Sequence, residues 1–580
     1  MPRGEILGWI FDVYAVQGDM RLWVIDREGR KHRLIDSFSP VFYLSGPPAS
    51  LRPLFAVLSK LKITIEIRPT EGIEFYSGRP IPVHAVRVAD PIRFDAVVRR
   101  CTTFIDQGNH AEIDLYNCDL PLPQLYFYAK GSFPLAFCRV EADDEGRVLK
   151  LEPLDSIWST DYTTPPLSVM TLRMEGETIR PDQTHRGRLE IGIEDQTHVL
   201  EGEDDAALIE QFDRMLARHD PDLILSEWGD PYILPKLIRI AGRIGLPLRL
   251  NREPGAEVIA KKERSYFSYG QIIHRDAARL LLGRWHIDLH NSFLIGHTEM
   301  EGLFEFARLS KIPVQQMART STGTGITSMQ MDLAFQDGIL IPWRKREPEA
   351  FKSADQLLKS DKGGLVYSPR PGFYEEVAEI DFASMYPALM ARYNISPETI
   401  NCPCCPENRV PEIGHHLCTK RLGLIPRFLA PFLAKRAKYK ALKKSAADPA
   451  MKRIYDERQS ALKWGLVTTF GYQGYRNARF GKIEAHEAIT AYSREKLLVA
   501  KEIAEADGFE MIHAIVDSLW IRKPGTTEQE YEALTAKISE ICEIPIAFEG
   551  IYRWILFVPS KSDPKLGVPN RYVGLFRSGE

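Results

Sequence analysis

Two aspartates are the side chains most able to do chemistry in this sequence. In EEVAEIDFASMYPALM an apolar run, residues 377–380, reads as a strand that delivers Asp381 at its end. Pro387 then forces the backbone to turn, because proline cannot continue a strand ladder. In FEMIHAIVDSLWIRK two strand-like runs flank Asp517 and Ser518. That spacing predicts a two-residue hairpin with the aspartate at its tip. Hard oxygen ligands on separate rigid strands suit magnesium. A pair of divalent ions about 4 Å apart is the device that moves a phosphoryl group from a nucleotide. Taken singly, each aspartate reads better as a turn or cap residue.

Two further groups stand out. From Lys420 to Lys463 thirteen Lys or Arg face three acidic residues. Such a run is ordinarily a solvated helical face, and it is also what a phosphate-binding surface needs. In NCPCCPENRVPEIGHHLC, Cys402, Cys404, Cys405, His415, His416 and Cys418 crowd into one loop. Four soft ligands from this set could close a tetrahedral zinc site. The irregular spacing leaves free thiols or a disulfide equally open.

The elements that must position these residues follow from patterning. Residues 1–150 alternate apolar and polar over short runs between Gly, Pro and Asp, which predicts antiparallel sheet. Residues 151–330 alternate strands such as RLEIGIE with helical stretches such as AALIEQFDRMLARH, an α/β pattern broken at TTPP and at STGTG. Beyond about residue 365 the order is strand, long helices, hairpin. The 580 residues, 44% hydrophobic, suffice for several cores. A net charge of −3 excludes a uniformly basic coat, so contact with nucleic acid must be local. There is no leader-like segment and no long uncharged apolar window. With crowded rather than spread cysteines, the expectation is a soluble, cytoplasmic, nucleoid-associated protein without membrane contact.

The motifs together resemble family B DNA polymerases. DFASMYP is similar to the family's first palm motif, KWGLVTTFGYQGY to its fingers motif and AIVDSL to its second palm motif, in the family's order. YNISPETI, GLIPRFLAPFLAKRAKYK and RNARFGKIEAHEAITAYSRE match between them, and GWIFDVY and CDLPLPQLYFY resemble the opening domain. A collinear series over nearly the whole chain is far more specific than one short motif. The resemblance is to the short, exonuclease-deficient archaeal and bacterial branch. It implies an α/β and α+β multidomain fold: a β-rich domain (1–150), an RNase H-like exonuclease-type domain (151–330), palm (331–419 and 476–580) and helical fingers (420–475).

Roles follow by resemblance. Asp381, Asp517 and the Phe382 carbonyl would hold two magnesium ions, with manganese as a substitute. Tyr386 would be the steric gate against a 2′-hydroxyl, beside Ser384 and Met385. Arg436 and Lys440, four apart on one helix face, with Lys463 and Val467 on the next helix, would take the triphosphate of a dNTP. Tyr472, Lys561, Arg571 and Tyr572 would touch primer–template DNA through phosphates, which positions DNA without reading its sequence.

Departures matter as much. Ile515 replaces the first aspartate of the second palm motif, and Val467 and Phe470 stand where Asn and Tyr are usual. In the exonuclease-type domain TLRME places Arg173 where an aspartate is required and keeps only Glu175. SEWGDPYILP offers Asp230, and GLFEFARLS lacks the third motif. A cation at a metal site repels metal, so this domain is expected to be inactive. The rival reading is a rearranged nuclease using Glu175, Asp230 and Asp288. The sequence also stops at Glu580, where relatives continue into a thumb, so the thumb is expected to be missing, minimal or truncated, or else supplied by a second chain, with a sliding clamp as the other candidate partner. The function expected is DNA synthesis without proofreading, in repair or translesion synthesis. The alternative is a catalytically weak or inactive DNA-binding scaffold.

Overall fold

The computed structural model describes residues 4–176, 181, 187–200, 204–268, 271–360 and 362–579. The chain forms two compact units. One comprises Met1–Glu74, Arg79–Trp343 and Lys435–Gly465, the other Phe75–Gly78, Arg344–Ala434 and Leu466–Glu580.

Among its described residues the first unit contains three larger sheets, besides two two-stranded ones, Ile259–Lys261 with Ala278–Leu280 and Arg264–Ser268 with Gln271–Arg275. Lys31–Asp36, Asp19–Asp26, Gly4–Val16, Phe137–Ala142 and Val148–Pro153 lie side by side in that order, all antiparallel. Ile65–Ile73, Pro80–Val88, Val41–Ser45 and Asp114–Tyr116 form a second antiparallel sheet. The third runs Gln196–Leu200, Leu189–Ile193, Val169–Met174, Leu223–Ser226 and Trp285–Asp288, with its last two pairings parallel. Helices Asp205–His219 and Leu234–Ile244 cover one face, burying Ile209, Phe212, Leu216, Leu237 and Ile240 against Met170, Leu172 and Ile191.

One expectation fails here. STGTG is not a break but the first turn of the helix Thr322–Gln336, whose Ser321 caps it by accepting from the Thr324 N–H. The glycine composition misleads because Gly325 is present for packing: a Cβ there would lie 2.3 Å from the Phe306 ring. Ser at the N-cap outweighs the local glycine cost.

The basic region folds as the helices Leu424–Ser445 and Pro449–Gly474. Near their turn Lys443 pairs with Asp456 at 2.7 Å and Tyr439 lies 6.1 Å from Tyr455, which makes the pair an antiparallel hairpin. Several of its charges are neither solvated nor free. Lys435 Nζ is 2.6 Å from the buried carboxylate of Glu305, which also accepts from Tyr162 at 2.6 Å and Tyr439 at 2.9 Å. Arg458 pairs with Glu301 at 2.7 Å, and the guanidiniums of Arg458 and Arg308 lie 3.8 and 3.7 Å from the Tyr162 ring centre.

The second unit is built on one antiparallel sheet: Val366–Tyr367, Glu510–Ile515, Ser518–Arg522, Gly372–Phe382, Ile546–Pro559 and Gly567–Phe576. Val377, Ile512, Trp520, Tyr552, Ile555 and Phe557 form a buried cluster on it. Helices Ile483–Ala506 and Glu528–Cys542 pack with the sheet, the second opened by a capping box between Thr527 and Glu530. No helix among the described residues is long and apolar enough to cross a membrane.

Because Glu305 compensates the buried Lys435, Glu305→Ala should destabilise the first unit by roughly 3–5 kcal/mol. A lowered thermal unfolding midpoint, with a smaller loss for Glu305→Gln, is the expected result.

Candidate active site

Asp381 is the penultimate residue of the strand Gly372–Phe382, and its cross-strand partner is Ser518. Ser518 Oγ donates to Asp381 Oδ1 at 2.6 Å, and the Phe382 N–H donates to the Asp517 carbonyl at 2.9 Å. These two bonds lock the end of one strand against the tip of the neighbouring hairpin, so both aspartates emerge at one place.

The hairpin loop is Val516 and Asp517, closed by the pair Ile515 and Ser518. Ser518 therefore belongs to the strand rather than to the turn, which is what lets it reach across to Asp381. Val516 adopts φ 57°, a left-handed conformation that costs a β-branched residue of order 1–3 kcal/mol. Its N–H donates to the Leu365 carbonyl at 2.8 Å, and its own carbonyl accepts from Ser493 Oγ at 3.4 Å. The surroundings thus hold the loop against its own preference.

Burial, and then the negative charge of Asp381, push the Asp517 carboxyl up to about 6. A third carboxylate, which sequence reasoning missed, adds to this field. Glu379 lies two residues before Asp381 and so on the same strand face. Burial raises its proton affinity, the neighbouring Asp381 and Glu549 raise it further, and Tyr552 OH donates to it at 2.7 Å. The signal was present as Glu-x-Asp at strand spacing.

Tyr386 lies in the first turn of the helix Met385–Arg392, behind Ser384 at φ 52° and the buried Met385. Its ring centre is 4.2 Å from that of Phe470, which in turn stacks at 4.2 Å on His486. Phe470 thus supports Tyr386 from behind. Burial, and after it the Asp517 charge, raise the Tyr386 phenol above its ordinary value. Phe382 keeps its ring fully buried.

The remaining expected residues are distributed as follows. Arg436 is half-buried, and Lys440 and Lys463 are exposed, all on the hairpin portion in the first unit. Val467 is exposed, and Tyr472 stands 5.9 Å from Tyr475, both in the second unit. Lys561 is exposed in the turn before the last strand, and Arg571 is exposed on it. Tyr572 instead turns its ring into the sheet's core, 5.4 Å from Trp520 and 5.7 Å from Phe557.

The exonuclease-type residues occupy a different electrostatic setting. Arg173 pairs with Glu190 at 2.5 Å, and Glu175 with Arg188 at 2.7 Å. Asp230 is fully buried and accepts from Arg319 at 2.6 and 3.0 Å, from the Arg279 N–H at 2.6 Å and from Asn291 at 2.8 Å. Burial opposes its ionisation, but Arg319 and these donors hold its carboxyl below the usual range. Asp288 accepts from the backbone N–H groups of Trp228, Asp230 and His290 at 3.2, 2.8 and 3.0 Å. Burial and the adjacent Asp230 nevertheless raise it to about 6.

The antiparallel sheet presents paired carboxylates where a strand end meets a hairpin tip, and in the chain the long helical hairpin lies between the two, an arrangement suited to nucleotidyl transfer. Residues 312–552 match the model of DNA polymerase family B. DNA polymerase 2 of Saccharolobus solfataricus is 33% identical over 273 residues, 47% of this chain and 40% of the relative. A DNA polymerase of Archaeoglobus fulgidus is 24% identical over the whole chain and 77% of its own length. The family B DNA polymerase structure from Pyrobaculum calidifontis superposes with a TM-score of 0.73 at 25% identity, covering 99% of this chain and 81% of that one. The chain is thus similar in sequence and in fold to family B DNA polymerases. It spans less than half of the Saccharolobus relative in the matched stretch and about three quarters of the Archaeoglobus one.

A carboxyl whose folded pKa is raised above the unfolded 3.8 favours the folded state most at low pH, and that advantage is lost as pH climbs from about 4 through about 6. In metal-free protein Asp517→Asn should therefore raise the unfolding midpoint at pH 8 and change it little at pH 4. The gain should correspond to roughly 1–3 kcal/mol.

Proposed function

We propose that this chain extends a primer 3′ end by nucleotidyl transfer from deoxynucleoside triphosphates on a DNA template, without 3′–5′ proofreading, and serves in repair or translesion synthesis. The observation that carries the synthetic half is the convergence of Asp381 and Asp517, like charges joined by the Ser518 and Phe382 hydrogen bonds. A half-buried oxygen set whose proton affinity is raised by its own negative field suits a hard divalent cation. Two magnesium ions, or manganese in their place, would be held by these carboxylates with the Phe382 carbonyl, and when bound would activate the primer hydroxyl and neutralise the triphosphate.

The chain's own residues do the rest. Tyr386, backed by Phe470, fills the space a 2′-hydroxyl would need. By the family pattern Arg436, Lys440 and Lys463 grip the triphosphate and Lys561 and Arg571 take DNA phosphates. Tyr572, half-buried against Trp520 and Phe557, would by the same pattern also meet a DNA phosphate.

The absence of proofreading is supported by the saturation of Asp230. With its lone pairs engaged by Arg319, Arg279 and Asn291, it has no oxygen to offer a metal, and Arg173, where the family pattern needs an acid, is paired with Glu190. Val467 and Phe470 remove polar groups from the fingers motif, consistent with relaxed checking of the nascent pair.

Primer extension with a labelled primer and magnesium tests the reading. Elongation without shortening is expected, and Asp381→Asn or Asp517→Asn should slow it by at least ~10³-fold, several kcal/mol of lost transition-state stabilisation. Primer shortening would overturn the lack of proofreading, and inertness of the unaltered chain would leave only a DNA-binding scaffold. Tyr386→Ala should raise ribonucleotide incorporation relative to deoxynucleotide by at least ~10-fold, read from single-nucleotide kinetics.

A further inference from the structure

Between Arg392, where one helix ends, and Leu424, where the next begins, the chain runs through a long connection with no named helix or strand. Such a segment inside a compact unit is uncommon and needs something to hold it. Its strand-like pairings, among the described residues, are the isolated bridges Ile400 with Leu417 and Arg409 with His416, beside scattered turn hydrogen bonds. At its centre lies a buried cluster made solely of sulfur side chains: Cys402, Cys405 and Cys418, with the exposed Cys404 closing the group. No aliphatic or aromatic side chain belongs to that cluster, so burial of hydrocarbon does not account for it.

The arrangement of the sulfurs is that of a coordination shell. One Sγ from each of the four residues lies within 4.8 Å of all the others. Cys404 Sγ stands 3.6 Å from Cys402, from Cys405 and from Cys418. A disulfide joins two sulfurs, whereas here one sulfur is equidistant from three. Four thiolates at a zinc–sulfur bond of about 2.3 Å place tetrahedral edges at about 3.8 Å, close to the spacing found.

The groups around the cluster are those that outer-shell partners of a thiolate site would be. The Thr419 N–H and hydroxyl both lie 3.4 Å from Cys405 Sγ, positioned to donate to a thiolate. The imidazoles are occupied elsewhere and are not ligands: His416 Nε2 bonds the Cys402 carbonyl at 2.7 Å, and His415 Nε2 contacts Glu487 at 3.1 Å. Asn394 donates to the Cys418 carbonyl at 2.7 Å and to that of Arg421 at 2.8 Å. Outer-shell bonds of this kind orient ligands and preorganise a site.

We propose that Cys402, Cys404, Cys405 and Cys418 form a closed, structural site for one zinc ion that ties the connection between the Asp381-bearing segment and the helical hairpin into a single knot. All four positions are filled by protein sulfur, so the site has no open place for substrate and does no chemistry. Its mechanical reach is visible in the contacts that leave the knot. His415 meets Glu487, and Glu412 pairs with Arg494 at 2.8 Å, both on the helix Ile483–Ala506. That helix also carries Ser493, which bonds the carbonyl of Val516 in the Asp517 hairpin.

The test is metal analysis of the full chain purified without chelator. One zinc per chain is expected, released on titration with a mercurial thiol reagent and detected by a zinc-binding dye. Zinc should be lost in Cys405→Ser and Cys418→Ser and retained in Cys101→Ser, whose sulfur is buried far from the cluster in sequence. Where a variant fails to fold, cobalt exchanged into the unaltered protein gives an independent readout. Tetrahedral tetrathiolate d–d bands with sulfur-to-cobalt charge transfer would support the site. Metal-free protein with four reactive thiols, a disulfide found by mass spectrometry, or iron in place of zinc would each overturn the proposal.

Discussion

Two carboxylates brought side by side at an effective dielectric of about 20 repel by roughly 4 kcal/mol at 4 Å, and nothing in their own chemistry would keep them there. The backbone does. The bond from the Phe382 N–H to the Asp517 carbonyl and the register of Asp381 against Ser518 make the approach a consequence of strand pairing. Val516 in the left-handed region and the raised Asp517 are two expressions of one strain: sheet cooperativity holds a loop and a charge where neither is comfortable. The flanking buried cluster of Val377, Trp520, Tyr552 and Phe557 makes the sheet stiff enough to do so.

The exonuclease-type part of the first unit solves the opposite problem. There too buried aspartates gather beyond the carboxyl ends of parallel strands, where α/β sheets commonly place ligands. Yet Arg319 lies against Asp230, so the charge of that carboxylate is satisfied within the fold itself. A site that neutralises its own acids stabilises a domain, whereas one that leaves them in a shared negative field is prepared for a cation. Asp230, held below the usual carboxylate range beside Arg319, differs in this from Asp517, whereas Asp288, buried beside Asp230, is raised to about 6 as Asp517 is.

The basic helical hairpin shows how misleading a charge count can be. Of its positive residues, Lys435 and Arg458 are buried partners of Glu305 and Glu301, while Lys440 and Lys463 remain exposed. Desolvating an ammonium and a carboxylate together is tolerated only because tyrosine hydroxyls and arginine–aromatic stacking complete the cluster. Some positive charge in this region is therefore architecture.

Local pattern alone determined a good deal. The strand ending in Asp381, the hairpin about Asp517, the two basic helices and the antiparallel and α/β character of the first three hundred residues are written in alternation, turn residues and helical periodicity, which depend on near neighbours. The family was legible for the same reason, since its motifs are short and collinear. What the sequence could not give depends on residues far apart in the chain. Glu379 joins the acidic field only because strand pleating puts it on the Asp381 face, within reach of the Tyr552 hydroxyl, and Ser518 reaches Asp381 only through register. STGTG reads as a break until Ser321 caps a helix and Phe306 is seen to require Gly325. Tyr572 reads as a surface residue until sheet pairing turns it inward, and Asp230 reads as a metal ligand until Arg319 arrives from 89 residues away. Propensity is local, whereas charge compensation, register and close packing are properties of surfaces that exist only once the chain has folded.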